Sequence, residues 1–342
     1  MDEIDALRTL GHDTAPPDPA TKRAARRTLL AHAEAVASGP RWMPGRALGL
    51  RRPRVVGALA VFGLVAILAS GVVPFGRGPD VAAAAVLNRA ADIAAAQPAG
   101  SGVGYRHTKS EGAHIQGIGE GNGIWALVPV TREIWVNADG SGRLVESRGD
   151  PIWFGPADKA AWIASGSEVP QASFSDTRFG PTPPGVAPGT PQEWPGSLYY
   201  ENVDALPTDV AELRRVIDAR AGSEGAATDY GRFTIVGDLL RETVAAPQLR
   251  AALYRVAAGL GGVELIGSMT DRAGRTGTAV SMTNDQSSRG LERRILIFDP
   301  TTSMLMAEED VLLHKVDWLD AEPPLVIGYT TYLVSEIVPT IP

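Results

Sequence analysis

The side chains of this chain that could transfer a proton or hold a metal are few. Beyond residue 76 there are three histidines, His107, His114 and His314, and the whole chain has no cysteine. Disulfides, thiolate metal sites, a lipid-modified cysteine and a thiol nucleophile are thereby excluded. Serine and aspartate are plentiful enough to complete a Ser/His/Asp set, yet no G-x-S-x-G, H-E-x-x-H or Walker sequence occurs. Asn137-Ala138-Asp139-Gly140-Ser141-Gly142 superficially resembles a calcium loop, but Arg148 stands where the twelfth-position glutamate is required. A hairpin turn explains that string better. Gly117, Gly119, Gly121 and Gly123 lack the spacing of a dinucleotide fingerprint and read as a flexible loop. Asp271, Gly274 and Arg275 are what a tight turn beside a surface ion pair uses. His12 and His32 have no second ligand at zinc spacing. No catalytic residue, cofactor or metal site is expected, and the chain reads as a non-enzyme.

The remaining chemical resource is aromatic. Trp125, Trp135, Trp153, Trp162, Trp194 and Trp318 read first as core or sheet-face residues. Several flank Pro/Gly loops, however, and an aromatic-lined hollow is what an apolar ligand uses. Both readings stay open.

What positions these residues is a single apolar run. Val55 to Phe75 holds 21 residues without a charge. At 1.5 Å rise per residue it spans roughly the 30 Å hydrocarbon core of a bilayer. Val55, Leu59, Phe62, Leu64, Ile67, Leu68 and Val72 are its expected membrane-spanning side chains. Arg51, Arg52 and Arg54 precede it and only Arg77 follows closely, which sets the N-terminus in the cytoplasm and exports the rest. The competing reading is a removable signal peptide, with Met43 as an internal start and Ala82-Ala83-Ala84 as a small-residue cleavage site. The 54 preceding residues and the length of the run favour a retained anchor. The expected localisation is therefore the cell membrane, single-pass, and the expected division is a cytoplasmic tail 1–54, a transmembrane helix 55–75 and an exported part 76–342.

Charge divides at the same place. Residues 1–54 hold ten Lys+Arg against six Asp+Glu, whereas 55–342 hold 22 against 33. A basic tail suits the anionic inner leaflet, and the lipid bilayer is the first expected partner. The acidic outer part lacks the basic footprint that phosphate contacts need, so no nucleic-acid binding is expected. In the tail, Asp18-Pro19 starts a helix whose Leu29, Leu30, Ala33 and Val36 form a modest apolar stripe among Lys22, Arg23, Arg26 and Arg27. It reads either as a docking element for a cytoplasmic regulator or as a helix lying on lipid.

Outside the membrane the spacing predicts a helix over Val81–Gln97 and strands near Val103–Ser110, Val128–Asn137 and Arg143–Ser147. A short helix follows at Pro156–Ser165. Residues 166–196, with seven prolines and five glycines, read as a surface loop. Three helices are predicted to start near Thr208, Tyr230 and Pro247. The last eighty residues read as a meander: Val263–Met269, Arg275–Met282, Arg293–Phe298, Met304–His314 and Leu325–Val338. In the final strand Ile327, Tyr329, Thr331, Leu333 and Ile337 are expected on one face. The fold class is α+β, with helices covering a curved antiparallel sheet.

These segments resemble a family of actinobacterial single-pass membrane proteins of uncharacterised function. The resemblance rests on Pro16-Pro17-Asp18-Pro19, on Val86-Leu87-Asn88-Arg89-Ala90-Ala91 and on Trp135-Val136-Asn137-Ala138-Asp139-Gly140-Ser141-Gly142-Arg143. It continues in Leu206-Pro207-Thr208-Asp209, Asp238-Leu239-Leu240-Arg241-Glu242, Leu249 to Tyr254 and Asp271 to Arg275. Members are often linked to extracytoplasmic-function sigma factors, which implies a sigma factor as the regulator that the tail would meet. The exported part is similar at fold level to lipoprotein-carrier-like domains, half-open antiparallel barrels closed by helices. The family supplies no catalytic residues. The expectation is a non-enzymatic sensor or ligand-binding protein with an apolar or envelope ligand; the alternative is a membrane-tethered carrier or chaperone for lipid or lipoprotein.

Overall fold

The computed structural model describes residues 80–98, 104–118, 124–164, 171–181, 192–194, 198–200, 206–223, 227–241, 246–287, 290–319 and 321–342. The tail 1–54, the run 55–75 with its spanning residues, and Arg51, Arg52 and Arg54 lie outside the described residues. Among the described residues no helix is long and apolar enough to cross a membrane.

The described part is α+β, built on a large curved antiparallel sheet. Its strands are β1 (Tyr105–Ile118), β2 (Ile124–Val136), β3 (Gly142–Arg148), β4 (Ile152–Trp153), β5 (Ser173–Phe179), β8 (Val263–Thr270), β9 (Thr276–Asn284), β10 (Glu292–Phe298), β11 (Leu305–Leu312) and β12 (Leu325–Val338). Their order is β5-β3-β2-β1-β12-β11-β10-β9-β8, with β4 paired to β2; β6 (Gln192–Trp194) and β7 (Leu198–Tyr200) form a separate hairpin. Two meanders, one early and one late, are thus welded by the pairing of β1 with β12. The connections β1–β2 and β11–β12 lie at one end of the strands, the lower end. The β2–β3 and β10–β11 turns lie at the upper end.

Among the described residues five helices accompany the sheet: α1 (Val81–Ala95), α2 (Pro156–Ala164), α3 (Val210–Ser223), α4 (Asp229–Arg241) and α5 (Pro247–Ala258). The Asp80 carboxylate accepts the Ala82 N–H at 2.8 Å and so caps α1. Ala83, Leu87, Ala90, Ala91 and Ala94 then fall on one buried side at helical spacing. Pro247 opens α5 at the position where its missing N–H costs nothing. α1, α3, α4 and α5 pack Leu87, Leu213, Ile217, Phe233, Val236, Leu249 and Leu253 against Val263, Val280, Leu296, Phe298, Leu305 and Tyr332 of the late strands. These helix-facing side chains define the inner face of the sheet.

Helix direction follows from two long-range contacts. Arg250 near the start of α5 donates to Gln97 just past α1, and Arg255 pairs with Asp92, so the two helices run antiparallel. Gln97 also donates to the Thr302 carbonyl in the β10–β11 turn, which holds the end of α1 at the upper end. α5 leads into the start of β8, where Val263 pairs with Met282 and Met282 with Arg294, at the lower end. α1, about 22 Å long, therefore begins at the lower end.

The segment 166–196 is not only loop. Ser173–Phe179 pairs with β3 over its full length, and its polar alternation, exposed almost throughout, hid the strand. β1 runs on to Ile118 beyond the expected Ser110, because Gly112 sits where an added Cβ would collide with the Tyr329 carbonyl. Nor do the residues expected on one face of β12 stay there. A register shift beside Lys109 and Ser110 leaves Leu333 unpaired, so Thr331 lies opposite Glu111 while Ile337 lies opposite Arg106, on the other face.

Candidate functional site

Reading across the inner face, the strand register sets three rows. Arg294, Asp310, Gly328, His114 and Val128 form one; Leu296, Glu308, Thr330, Gly112, Val130 and Arg148 the next. Tyr332, Ser110, Arg132 and Glu146 form the third. The rows carry charge from under the helices into the early strands, through residues up to 216 positions apart in sequence.

The part under α4 is a closed ion network. Arg294 donates to both Asp310 oxygens, Nε to Oδ1 at 3.0 Å and Nη2 to Oδ2 at 3.2 Å, a bidentate pair. The Tyr332 hydroxyl donates to Glu308 Oε1 at 2.7 Å, and Arg241 of α4 reaches the same oxygen at 3.4 Å. Asp238, one turn before Arg241, pairs with it at 3.0 Å and stands 4.0 Å from Arg294. Burial pushes the Glu308 carboxyl up, but Arg241, Arg294 and the tyrosine hydrogen bond outweigh it and hold the group below the usual carboxylate range. Asp238 goes the other way: burial raises it more than the two arginines lower it, and Glu308 adds to the rise. Arg294 loses hydration on burial, yet Asp310, Glu308 and Asp238 keep it firmly cationic. Gly237 lets α4 approach here, since an added Cβ would lie 3.3 Å from Leu296. This network fastens α4 to β10 and β11.

Beyond it the character changes. His114 accepts or donates through Nε2 to the Thr330 hydroxyl at 3.1 Å and is exposed to solvent. Its pKa is nonetheless lowered, chiefly by desolvation, against the pull of Glu308 and Asp310. Gly328 makes the room: an added Cβ would come within 3.2 Å of His114 Nδ1 and 3.5 Å of Asp310. Further on, Arg132 donates to Glu146 Oε2 through Nε and Nη2, both at 3.3 Å, and Arg148 meets the other oxygen at 3.1 Å. Toward the lower end α2 closes the inner face of β2 by packing Trp162 on Ala126. Toward the upper end Ile134, Val136, Leu144 and Phe179 form a small apolar cluster. The strip from His114 to Glu146 is thus polar, framed by apolar side chains, and flanked by α4 and α2.

The other sequence candidates have structural employment. His107, on the opposite face, sets Nε2 2.9 Å from Glu133 and Nδ1 3.2 Å from Glu336 and stacks on Trp135. That clasp joins β12, β1 and β2. Asp271 accepts the Ala273 and Arg275 N–H groups and pairs with the Arg275 guanidinium, which also donates to the Met306 carbonyl: a turn with an ion pair, as its sequence indicates. Asn137–Gly142 is the β2–β3 turn, with Asp139 accepting from Ser141. His314 lies exposed after β11. Trp125 meets Trp318, and Trp153 meets Trp162, all near the lower end; the side chain of Trp194 is not among those described. Among the described residues no group of His, Asp and Glu could hold a metal ion.

Arg241, Arg294, Glu308 and Asp310 were not indicated as a site by sequence. The available signal was Glu308-Glu309-Asp310 embedded in an otherwise apolar strand, three carboxylates of which two are buried and so obliged to find partners. No protein-family model matches this chain, and no curated protein matches it.

Proposed function

We propose that this chain is a non-enzymatic, single-pass membrane protein whose exported domain binds an amphipathic envelope ligand on the inner-face strip, and whose tail reports occupancy to a cytoplasmic regulator. The observation that carries the ligand-binding reading is the polar strip of His114, Thr330, Arg132 and Glu146 on the inner face, with apolar side chains at its flanks. A polar headgroup finds donors and acceptors in His114, Thr330, Arg132 and Glu146. Between the late strands and α1, α3, α4 and α5 lies a core of buried apolar side chains. The strip is the better place. The anchor 55–75, the orientation and the sigma-factor link are taken from the sequence and its family resemblance.

The test is lipid and protein analysis of the full chain, extracted in mild detergent from its native membrane. A co-purifying amphiphile that is lost in His114→Ala and Arg132→Ala supports the strip; equal recovery with both variants contradicts it. The alternative, a tethered carrier for lipid or lipoprotein, uses the same strip without the tail. Replacing residues 1–54 by an unrelated basic tail separates the two, since the sensor reading requires that function be lost.

A further inference from the structure

The large sheet ends in β5 on one side and β8 on the other. The backbone groups on the outer side of an end strand are a template for another strand. The two ends are built differently. β8 breaks register with β9 between Leu265 and Gly267, where Gly267 takes φ +98°. Val263 and Leu265 of the same strand pack into the helix-covered core. A bulge and a covering layer are how a sheet edge is kept from pairing. β5 pairs with β3 over all seven of its residues without a shift. Ser173, Phe174, Ser175, Asp176 and Arg178 are exposed, and Phe174 keeps 71% of its surface in solvent. This edge is open.

Hydrogen-bond alternation says which groups the β5 edge offers. The Asn137 N–H donates to the Ser141 carbonyl at 2.7 Å, and the Gly149 N–H donates to the Pro129 carbonyl at 2.9 Å. Both pairs continue the register that joins β2 to β3. The odd-numbered residues of β3 therefore point their backbone groups at β2, and the even-numbered ones point theirs at β5. Those even residues, Gly142, Leu144, Glu146 and Arg148, stand opposite Phe179, Thr177, Ser175 and Ser173. Phe174, Asp176 and Arg178 are left to turn their N–H and C=O groups away from the sheet. Among the described residues no backbone group meets them there. Their side chains share the outer face, where Arg143 donates to both Asp176 oxygens, at 2.8 and 2.7 Å.

We propose that β5 pairs antiparallel with β5 of a second copy of this chain, about a two-fold axis through Thr177. A two-fold pairing that bonds the outward-facing groups to one another sets even residues opposite even ones. Three central registers satisfy this. Centred on Asp176, the pairing sets two aspartates opposite each other, a like-charge contact that costs stability. Centred on Ser175, it sets Phe174 against the partner's Asp176 and Arg178 against the partner's Ala172, and no charge is matched. Centred on Thr177, it sets Asp176 against the partner's Arg178 and Arg178 against the partner's Asp176, two opposite-charge pairs at once. Phe174 then lies opposite the partner's Gly180, where nothing stands within 4 Å of an added Cβ, so the ring has room. The edge is complementary to itself, which argues for a second copy over an unrelated peptide. The inference depends neither on the inner strip nor on the anchor.

The absence of native cysteine lets the three registers be told apart. Thr177→Cys, Asp176→Cys and Ser175→Cys of the full chain are oxidised separately in mild detergent at equal concentration, and covalent dimer is followed on non-reducing gels. In the proposed register residue 177 faces its own copy in a non-hydrogen-bonded pair, with Cα atoms about 4.5 Å apart. That lies within the disulfide limit of about 7 Å. Residue 176 is displaced from its copy by about 7 Å along the strands, and residue 175 by about 14 Å. The expected result is a dimer from Thr177→Cys that forms about tenfold faster than from either other variant. Adding Arg178→Asp sets carboxylate against carboxylate and should slow it about tenfold while the unfolding midpoint stays unchanged. Fastest dimerisation of Asp176→Cys or Ser175→Cys would overturn the register and the charge argument with it. Equally slow oxidation of all three would overturn the pairing, as would a rate that Arg178→Asp leaves unchanged. Protection of the Phe174, Asp176 and Arg178 amides from exchange in a chain that stays monomeric would show that another segment fills the edge, and also overturns the proposal.

Discussion

The two halves of one sheet have been put to different uses. Over β8–β12 four helices lie on the inner face, and the side chains between them are almost all fully buried. Over β1–β5, among the described residues, the nine-residue α2 packs at the lower end, and the apolar cluster further up amounts to four side chains. Where the halves meet, the polar rows pass from a sealed ion network to a solvent-facing strip. The covered half buries the larger apolar core, while the other keeps polar groups on its inner face.

The largest expected contrast lies in the cores. Leu253→Ala, at a site with no exposure, should cost about 3–5 kcal/mol in denaturant unfolding. Leu144→Ala, in the small cluster, should cost distinctly less, because fewer neighbours lose contact. Equal losses would erase the distinction between the halves.

The second contrast lies in the ion pairs. Glu308→Gln removes the carboxylate that Arg241 and the Tyr332 hydroxyl share and should cost about 3 kcal/mol, in the range for breaking a buried pair. Arg132→Gln, on the strip, should cost at most about 1 kcal/mol. Asp238→Asn should be neutral or stabilising above the ordinary carboxylate range, since its surroundings already disfavour the charged form. A large destabilisation there would show that α4 depends on Asp238 as an anion.

The pH dependence has a definite sign. Glu308 is depressed in the fold, so its stabilisation is present above the unfolded carboxylate range and is lost as pH falls through its lower folded value. Asp238 is raised, so its contribution is full below that range and is lost as pH rises through its folded value. Replacing Glu308 should therefore flatten the acid limb of a stability–pH curve, and replacing Asp238 should steepen it. His114 is lowered too: stability is retained above about pH 6.5 and declines as pH falls toward the folded value. His114→Asn should remove that shallow slope. The smallest stability effect belongs to Gly328→Ala, which crowds His114 and Asp310; ligand recovery, rather than unfolding, should register it.

Elements with strong local signals were legible in sequence. α3, α4 and α5 follow apolar residues at helical spacing between Pro, Gly and polar caps, and Leu325–Val338 is bounded as the structure has it. β5 was not legible, because an exposed strand of Ser, Asp, Thr and Arg between prolines carries no apolar alternation. Ile337 was assigned to the wrong face because a bulge is a property of the pairing and leaves no mark in one strand alone. The strip was hidden for the same reason. His114, Arg132, Glu146, Thr330 and Asp310 become neighbours only when β1 pairs with β12, and no local window contains that pairing.

The most direct test of the account is native mass spectrometry of the full chain released from mild detergent, beside Gly328→Ala and Leu144→Ala. The account predicts an amphiphile retained by the parent chain and lost from Gly328→Ala while that variant keeps its unfolding midpoint. Retention by Gly328→Ala, or a parent chain that carries no amphiphile from its native membrane, would contradict it.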